Sequence, residues 1–289
     1  MKRVLVVYKK SFLESHAGDR ALFDRLPPAR RSKYLRADAA NRAAIQDVVE
    51  FLRHRAKVTL VDRGSLARNP RYDLVVTVGG DGTFFAASHH VGAAPVVAIN
   101  SDPENSLGLF ACGDRRSFQG PLGKALDGGL RTLQLNRLAI TINRQRVPEL
   151  VINDVLFAHR NAAAMSHYHF AADRRGEDQR SSGIWIANAG GSTAGIRAAG
   201  GVRMPIDSRR IQWLVREPYG WPTARYRLLR GMAKRSIDLL VLMAEAGLWL
   251  DGSRLRHDVR LGDRVSITTG APPLRLLGYD DTRRRRLFP

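Results

Sequence analysis

Between Asp73 and His90 the sequence reads DLVVTVGGDGTFFAASHH: an apolar run, three glycines set around one aspartate, then a stretch compatible with a helix. Gly79, Gly80 and Gly82 lack the Cβ that keeps a backbone away from a bound phosphate, so their N–H groups can line an anion. Asp81 does not fit a loop built only to hold phosphate, because a carboxylate repels it. A loop that must also orient or deprotonate a hydroxyl attacking that phosphate requires such a group. Thr83 is expected to cap the following helix, whose positive end adds to the anion site. The alternative is a glycine turn carrying a solvated aspartate.

Two further groups carry polar chemistry. Asn153 and Asp154 interrupt the apolar stretch Leu150–Phe157, and adjacent strand residues face opposite ways, so at least one of them should meet a partly buried environment. A nucleotide ribose would partner both, since Asp accepts from hydroxyls and Asn donates and accepts; an edge-strand or bulge pair facing water is the other reading. In SSGIWIANAGGSTAGIRAAGG, residues 181 to 201, Gly190 and Gly191 make a flexible turn, Ser192 is expected to cap a short helix, and Gly200 with Gly201 ends it. This is an anion or base cradle, or equally a plain strand-to-helix joint. His167 and His169 share a strand face without a third ligand at suitable spacing, so no protein metal site is expected. Trp185, Trp213, Trp221 and Trp249 read as core or domain-interface anchors. P-loop and G-x-S-x-G hydrolase patterns are absent from the sequence.

The elements that must position these groups follow from periodicity. Residues 3–8, Lys57–Val61, Asp73–Val78 and Pro95–Ile99 read as strands, with helices over Asp38–Arg53 and Thr83–Val91, and an irregular stretch through Arg36 broken by Pro27 and Pro28. This alternation predicts a parallel, doubly wound sheet with ligands at the carboxyl ends of its strands. A linker helix is expected over Asp114–Leu126. Beyond it, Leu138–Ile142, Leu150–Ala158, His167–Ala172, Ile184–Ala187, Ile211–Val215, Ile237–Leu242, Gly247–Leu250 and Val265–Thr268 read as strands with little helix among them. The expected fold is α/β plus all-β: a Rossmann-like α/β domain over 1–113, a mostly antiparallel β domain over 114–272, and a last strand with a basic tail over 273–289 that can return to the first domain.

The 289 residues carry 47 Lys and Arg against 27 Asp and Glu, a formal charge of +20. Such a charge serves nucleic acid, small polyanions such as nucleotides, or only solvation. The basic residues are scattered over many clusters, including Arg30–Lys33, Arg209–Arg210 and Arg283–Arg286, and no aromatic-interleaved platform accompanies them, so nucleic-acid binding is not the expected function. No apolar run approaches the roughly 20 residues that span a bilayer. The one cysteine, Cys112, excludes an internal disulfide, and with a strand from Val4 no signal peptide is expected. A cytoplasmic location is expected.

Taken together, these residues resemble the NAD kinase family. Gly79–Thr83 match its G-G-D-G-T loop, Asn153 and Asp154 its Asn-Glu/Asp pair, Gly191–Ala194 its G-S-T-A segment, and Asp251 with Gly252 its late Asp-Gly. Asn100–Pro103, Ser181–Gly183 and Val215–Pro218 look like the compact branch that prefers NADH. The resemblance implies transfer of the terminal phosphoryl group of ATP to the 2′-hydroxyl of the adenosine ribose of NAD or NADH, with a divalent ion such as Mg2+, in a homodimer or tetramer. It implies Asp81 as general base, Gly79, Gly80, Gly82 and Thr83 at the phosphates, and Asn153, Asp154, Ser182, Ser192, Thr193 and Ala194 at NAD(H). The sequence departs from the family pattern at Asn188–Gly191, where T-P-T-G is usual, at Gly195, where Tyr is usual, and at Ser182, where many members have Asp. Loss of that negative charge should disfavour the positively charged oxidised nicotinamide, so NADH is expected to be at least as good a substrate as NAD. A lipid kinase of the diacylglycerol type, whose loop is related, and a non-catalytic polyanion-binding protein are the alternatives.

Overall fold

The computed structural model describes residues 1–16, 20–67, 71–220 and 226–288. Two compact units divide the chain: Met1–Leu133 with Leu274–Arg284, and Gln134–Pro273 with the residues from Arg285 onward. The first boundary falls later than 113 because the helix Gln119–Leu126 belongs with the first core, into which Leu122 and Ala125 are packed beside Phe118. That helix also starts later than expected. Pro121 then sits in its first turn, where a missing N–H costs nothing.

In the first unit the sheet order is Ala56–Asp62, Lys2–Tyr8, Leu74–Val78, Val96–Asn100, Leu274–Leu277, Thr132–Leu135, with Gly113–Asp114 paired beside Val96–Asn100. The first four strands pair in parallel. Leu74–Val78 and Val96–Asn100 are buried along their whole length, which explains their unbroken apolar runs. Leu274–Leu277 returns to this sheet, with Leu276 beside Val96 in parallel. The helix before the second strand runs from Pro28 to Arg53, ten residues earlier than its expected start at Asp38. Pro28 occupies its first position, which tolerates proline, so Pro27–Pro28 starts a helix instead of breaking the chain. Its buried stripe of Asn41, Ala44, Val48 and Leu52 recurs at three- and four-residue steps.

The second unit holds two six-stranded antiparallel sheets. One is ordered Arg175–Ser181, Ser166–Ala172, Ser236–Val241, Arg264–Thr268, Ala139–Ile142, Gln145–Arg146; the other Arg230–Ala233, Ile211–Val215, Ile184–Ala187, Asp154–His159, Ala246–Leu250, Leu255–Val259. Their inner faces share one core, crossed by Phe157 edge-on to Tyr168 at 5.2 Å and by Phe170 against Trp213 at 5.5 Å. Trp213 is a core residue, as read from the sequence; Trp221 lies outside the described residues. His167 and His169 do share the outer face of their strand, and His169 pairs with Asp178 at 2.7 Å. Residues Thr282–Leu287, within the basic tail, form a short helix with Arg284 fully buried.

Candidate functional site

Each unit carries one half of the motif set. In the first, strand Leu74–Val78 runs into Gly79 and Gly80, and the helix Asp81–Ser88 follows directly. The helix therefore begins at Asp81, with Gly80 in the capping position, and Thr83 is inside its first turn instead of capping it. Gly79 and Gly80 have no space for a side chain, whereas Gly82 does. A Cβ on Gly79 would collide with the Thr83 side chain, and one on Gly80 with the Ser106 hydroxyl.

Asp81 is held on both oxygens: Leu109 N–H donates to Oδ2 at 3.0 Å and Phe110 N–H to Oδ1 at 3.1 Å. These donors are set by the turn that follows Asn100. The Asn100 amide donates to Ser106 O at 3.0 Å and accepts from Asp102 N at 3.2 Å. Gly108 then takes φ +57°, where any Cβ would strike Asn100. Phe110 is fixed further by stacking on Phe84 at 4.9 Å. Burial pushes the Asp81 carboxyl above the usual carboxylate range, while the Leu109 and Phe110 donors, the Arg283 guanidinium and Gly108 N–H pull it back. Positive charge also arrives from the strand ends. Arg63 Nη1 reaches Thr83 Oγ1 at 3.5 Å, and burial together with nearby Arg63 lowers the Lys9 ammonium from its ordinary value, against the opposing pull of Asp102. Sequence reading missed Arg63, Arg283 and the Leu109–Phe110 donors, all distant in the chain from the glycines.

In the second unit Asn153 and Asp154 are both buried, the latter opening the strand Asp154–His159. Asp251 completes the group: Ile152 N–H donates to its Oδ2 at 3.1 Å, Asn153 N–H to its Oδ1 at 2.7 Å, and its own N–H donates to Asp154 O at 2.8 Å. Burial lifts Asp154 to about 6, opposed by the Gly195 N–H that donates to it. Burial, reinforced by the Asp154 charge, lifts Asp251 to about 8 against its backbone donors. The Gly190–Gly191 joint presses on this group, and a Cβ on Gly191 would overlap the Asn153 carbonyl.

Ser192 does not cap a helix. It lies within the 3-10 turn Gly190–Thr193, donating to Ala189 O and accepting from Met204 N, each at 2.9 Å. Its hydroxyl is therefore engaged in holding the turn. Asn188, in place of the family's usual residue, donates to Asn136 O at 2.8 Å and accepts from Gly191 N at 3.2 Å. Thr193, Ala194 and Gly195 follow directly, and the Gly195 N–H contacts Asp154. Ser182 stands apart from this group within the chain. Ala187 pairs with Asp154 and Ile184 with Phe157, so Ser182 lies beyond the far end of that strand, roughly 16 Å along it at about 3.3 Å per residue. The ring of Trp185 occupies the space over Gly195: a Cβ there would sit 3.0 Å from it.

No protein-family model matches the chain. It is 33% identical over 229 residues to a probable NADH kinase of Oryza sativa subsp. japonica, covering 71% of this chain and 70% of the relative. It is 28% identical over 227 residues to an NADH kinase of Arabidopsis thaliana, covering 70% and 71%. Among solved structures, an NAD kinase from Archaeoglobus fulgidus in complex with ATP superposes with a TM-score of 0.70 at 19% identity, covering 99% of this chain and 96% of the other. Yeast NADH kinase complexed with NADH gives 0.72 at 16% identity, covering 99% and 86%. These two share the fold.

Proposed function

The chain belongs to the NAD kinase family and is an NAD(H) kinase, a phosphotransferase with an alcohol acceptor, and we propose that Asp81 is the group that activates that alcohol. In this reading ATP gives its terminal phosphoryl group to the 2′-hydroxyl of the adenosine ribose, yielding NADP(H). The observation that carries it is the carboxylate at the first position of the helix Asp81–Ser88, preceded by Gly79 and Gly80 without room for side chains and with both oxygens held by backbone N–H groups. A base so fixed loses no energy to reorientation, and phosphoryl transfer needs alignment and charge neutralisation more than covalent help.

In this reading Gly79, Gly80, Gly82 and Thr83 serve the phosphates, with Arg63 as the cation at Thr83. Asn153 and Asp154 serve a ribose and the Ser192–Ala194 backbone an adenine. Ser192 acts there through its main chain, its hydroxyl being engaged. Among the described residues no three His, Cys, Asp or Glu side chains converge as metal ligands. In this reading Mg2+ accompanies the ATP phosphates. No helix among the described residues is long and apolar enough to cross a membrane; a cytoplasmic homo-oligomer is the form proposed.

The test is incubation of the purified protein with magnesium ATP and either NAD or NADH, followed by an assay specific for the 2′-phosphorylated product. Product with either acceptor supports the reading. No product from both, with phosphorylation of diacylglycerol or a sphingoid base instead, overturns it in favour of a lipid kinase.

A further inference from the structure

The basic C-terminal segment returns to the Asp81 loop within the first unit. After the strand Leu274–Leu277, Gly278 N–H donates to Arg131 O at 3.0 Å and anchors the exit of the chain. Tyr279 then stacks on Phe110, with centroids 6.0 Å apart and planes 30° apart. Phe110 is the residue whose N–H donates to Asp81. The Tyr279 hydroxyl donates to Asp281 Oδ1 at 2.8 Å, and the fully buried Arg284 places Nη1 3.6 Å from the same oxygen. Asp280 accepts from Thr282 N–H at 3.0 Å and from its hydroxyl at 2.7 Å, closing the turn that presents Arg283.

We propose that Tyr279–Arg284 is a working part of the catalytic loop, in which Tyr279, held by the Asp281–Arg284 pair, fixes the Phe110 N–H that donates to Asp81. The proposal rests on Asp81 serving as the base. A base must stay ionised to accept a proton, and burial opposes that. Arg283 opposes burial in turn. Arg63, from the stretch after Ala56–Asp62, also brings positive charge to this loop by reaching Thr83, and the Leu109 and Phe110 N–H groups donate to the Asp81 oxygens. Tyr279 is thus a positioning residue that acts through Phe110.

The test reads the Phe110 amide in the free full-length protein. Hydrogen exchange at that amide is expected to accelerate in Tyr279→Ala and to be restored towards wild type in Tyr279→Phe, which keeps the ring and loses only the hydroxyl bond to Asp281. In the kinase assay Tyr279→Ala should lose kcat several-fold with KM for ATP within about twofold of wild type. Unchanged Phe110 exchange in Tyr279→Ala, or no rescue by Tyr279→Phe, overturns the pinning role. The exchange readout needs no turnover, so failure of the proposal and failure of the kinase reading are seen separately.

Discussion

Asp81→Asn isolates the chemistry of the loop from its structure. The carboxamide has the shape of the carboxylate, but only one of its two heavy atoms accepts. Leu109 and Phe110 N–H groups donate to both Asp81 oxygens, so in either orientation one of them meets an NH2 group, donor against donor. Losing a hydrogen bond to a charged group costs about 1.5–3 kcal/mol. Removing a charge that burial disfavours works in the opposite direction. Net stability should therefore fall by no more than about 3 kcal/mol, and the fold should persist. Turnover should behave otherwise. An amide cannot take the hydroxyl proton, and general base catalysis contributes about 10²–10⁴-fold, so kcat should fall by that factor, or roughly 3–5 kcal/mol of barrier. The assay is 2′-phosphorylated product formed at saturating magnesium ATP, beside Tm and a direct ATP affinity on the same preparation. A variant that keeps more than about a tenth of wild-type kcat with unchanged ATP affinity refutes the role of Asp81.

Gly191→Ala drives a Cβ into the Asn153 carbonyl; overpacking of this kind costs about 1–3 kcal/mol, and the shift of Asn153 should raise KM for NAD(H) more than it lowers kcat. Equal KM in the two proteins would count against a ribose at Asn153. In Asp251 the folded-state value is raised to about 8 and in Asp154 to about 6, above an unfolded value of about 3.9. Their contribution to stability is full below about pH 4 and declines as pH rises through about 6 and then 8. Thermal melts should show wild-type Tm falling more steeply than that of Asp251→Asn between about pH 5 and 8; parallel curves would remove Asp251 from the balance. NADH should be at least as good a substrate as NAD, because Ser182 brings no carboxylate to favour the oxidised ring; a kcat/KM for NAD tenfold or more above that for NADH would refute it.

The glycine loop was readable because its whole logic lies within five adjacent residues: a carboxylate among residues with no Cβ. The parallel sheet was readable because strands buried on both faces leave unbroken apolar runs such as Leu74–Val78. Strands Arg175–Ser181 and Leu255–Val259 were missed because each pairs at a sheet edge and carries mostly polar residues. The helix from Pro28 was misread because proline stops a helix interior but suits its first turn. Asp251, Arg63 and Arg283 are joined to the motifs only by folding. Asp251 reaches Ile152 and Asn153 across nearly one hundred positions, and nothing in the spacing of a late Asp-Gly reveals which backbone groups it will meet.

The crowding at the glycines also constrains how this sequence can change over time. A single-base change in the first two positions of a glycine codon that keeps the chain open introduces a side chain. At Gly79 that side chain meets Thr83, at Gly80 Ser106, at Gly108 Asn100 and at Gly191 the Asn153 backbone. Three of these four obstructions are themselves side chains, which can yield by rotating or by a substitution of their own. The fourth is main chain and offers no such exit. The glycine loop can therefore drift where a neighbouring side chain gives way, whereas the Gly191 joint is closed to stepwise drift unless the strand beneath it moves.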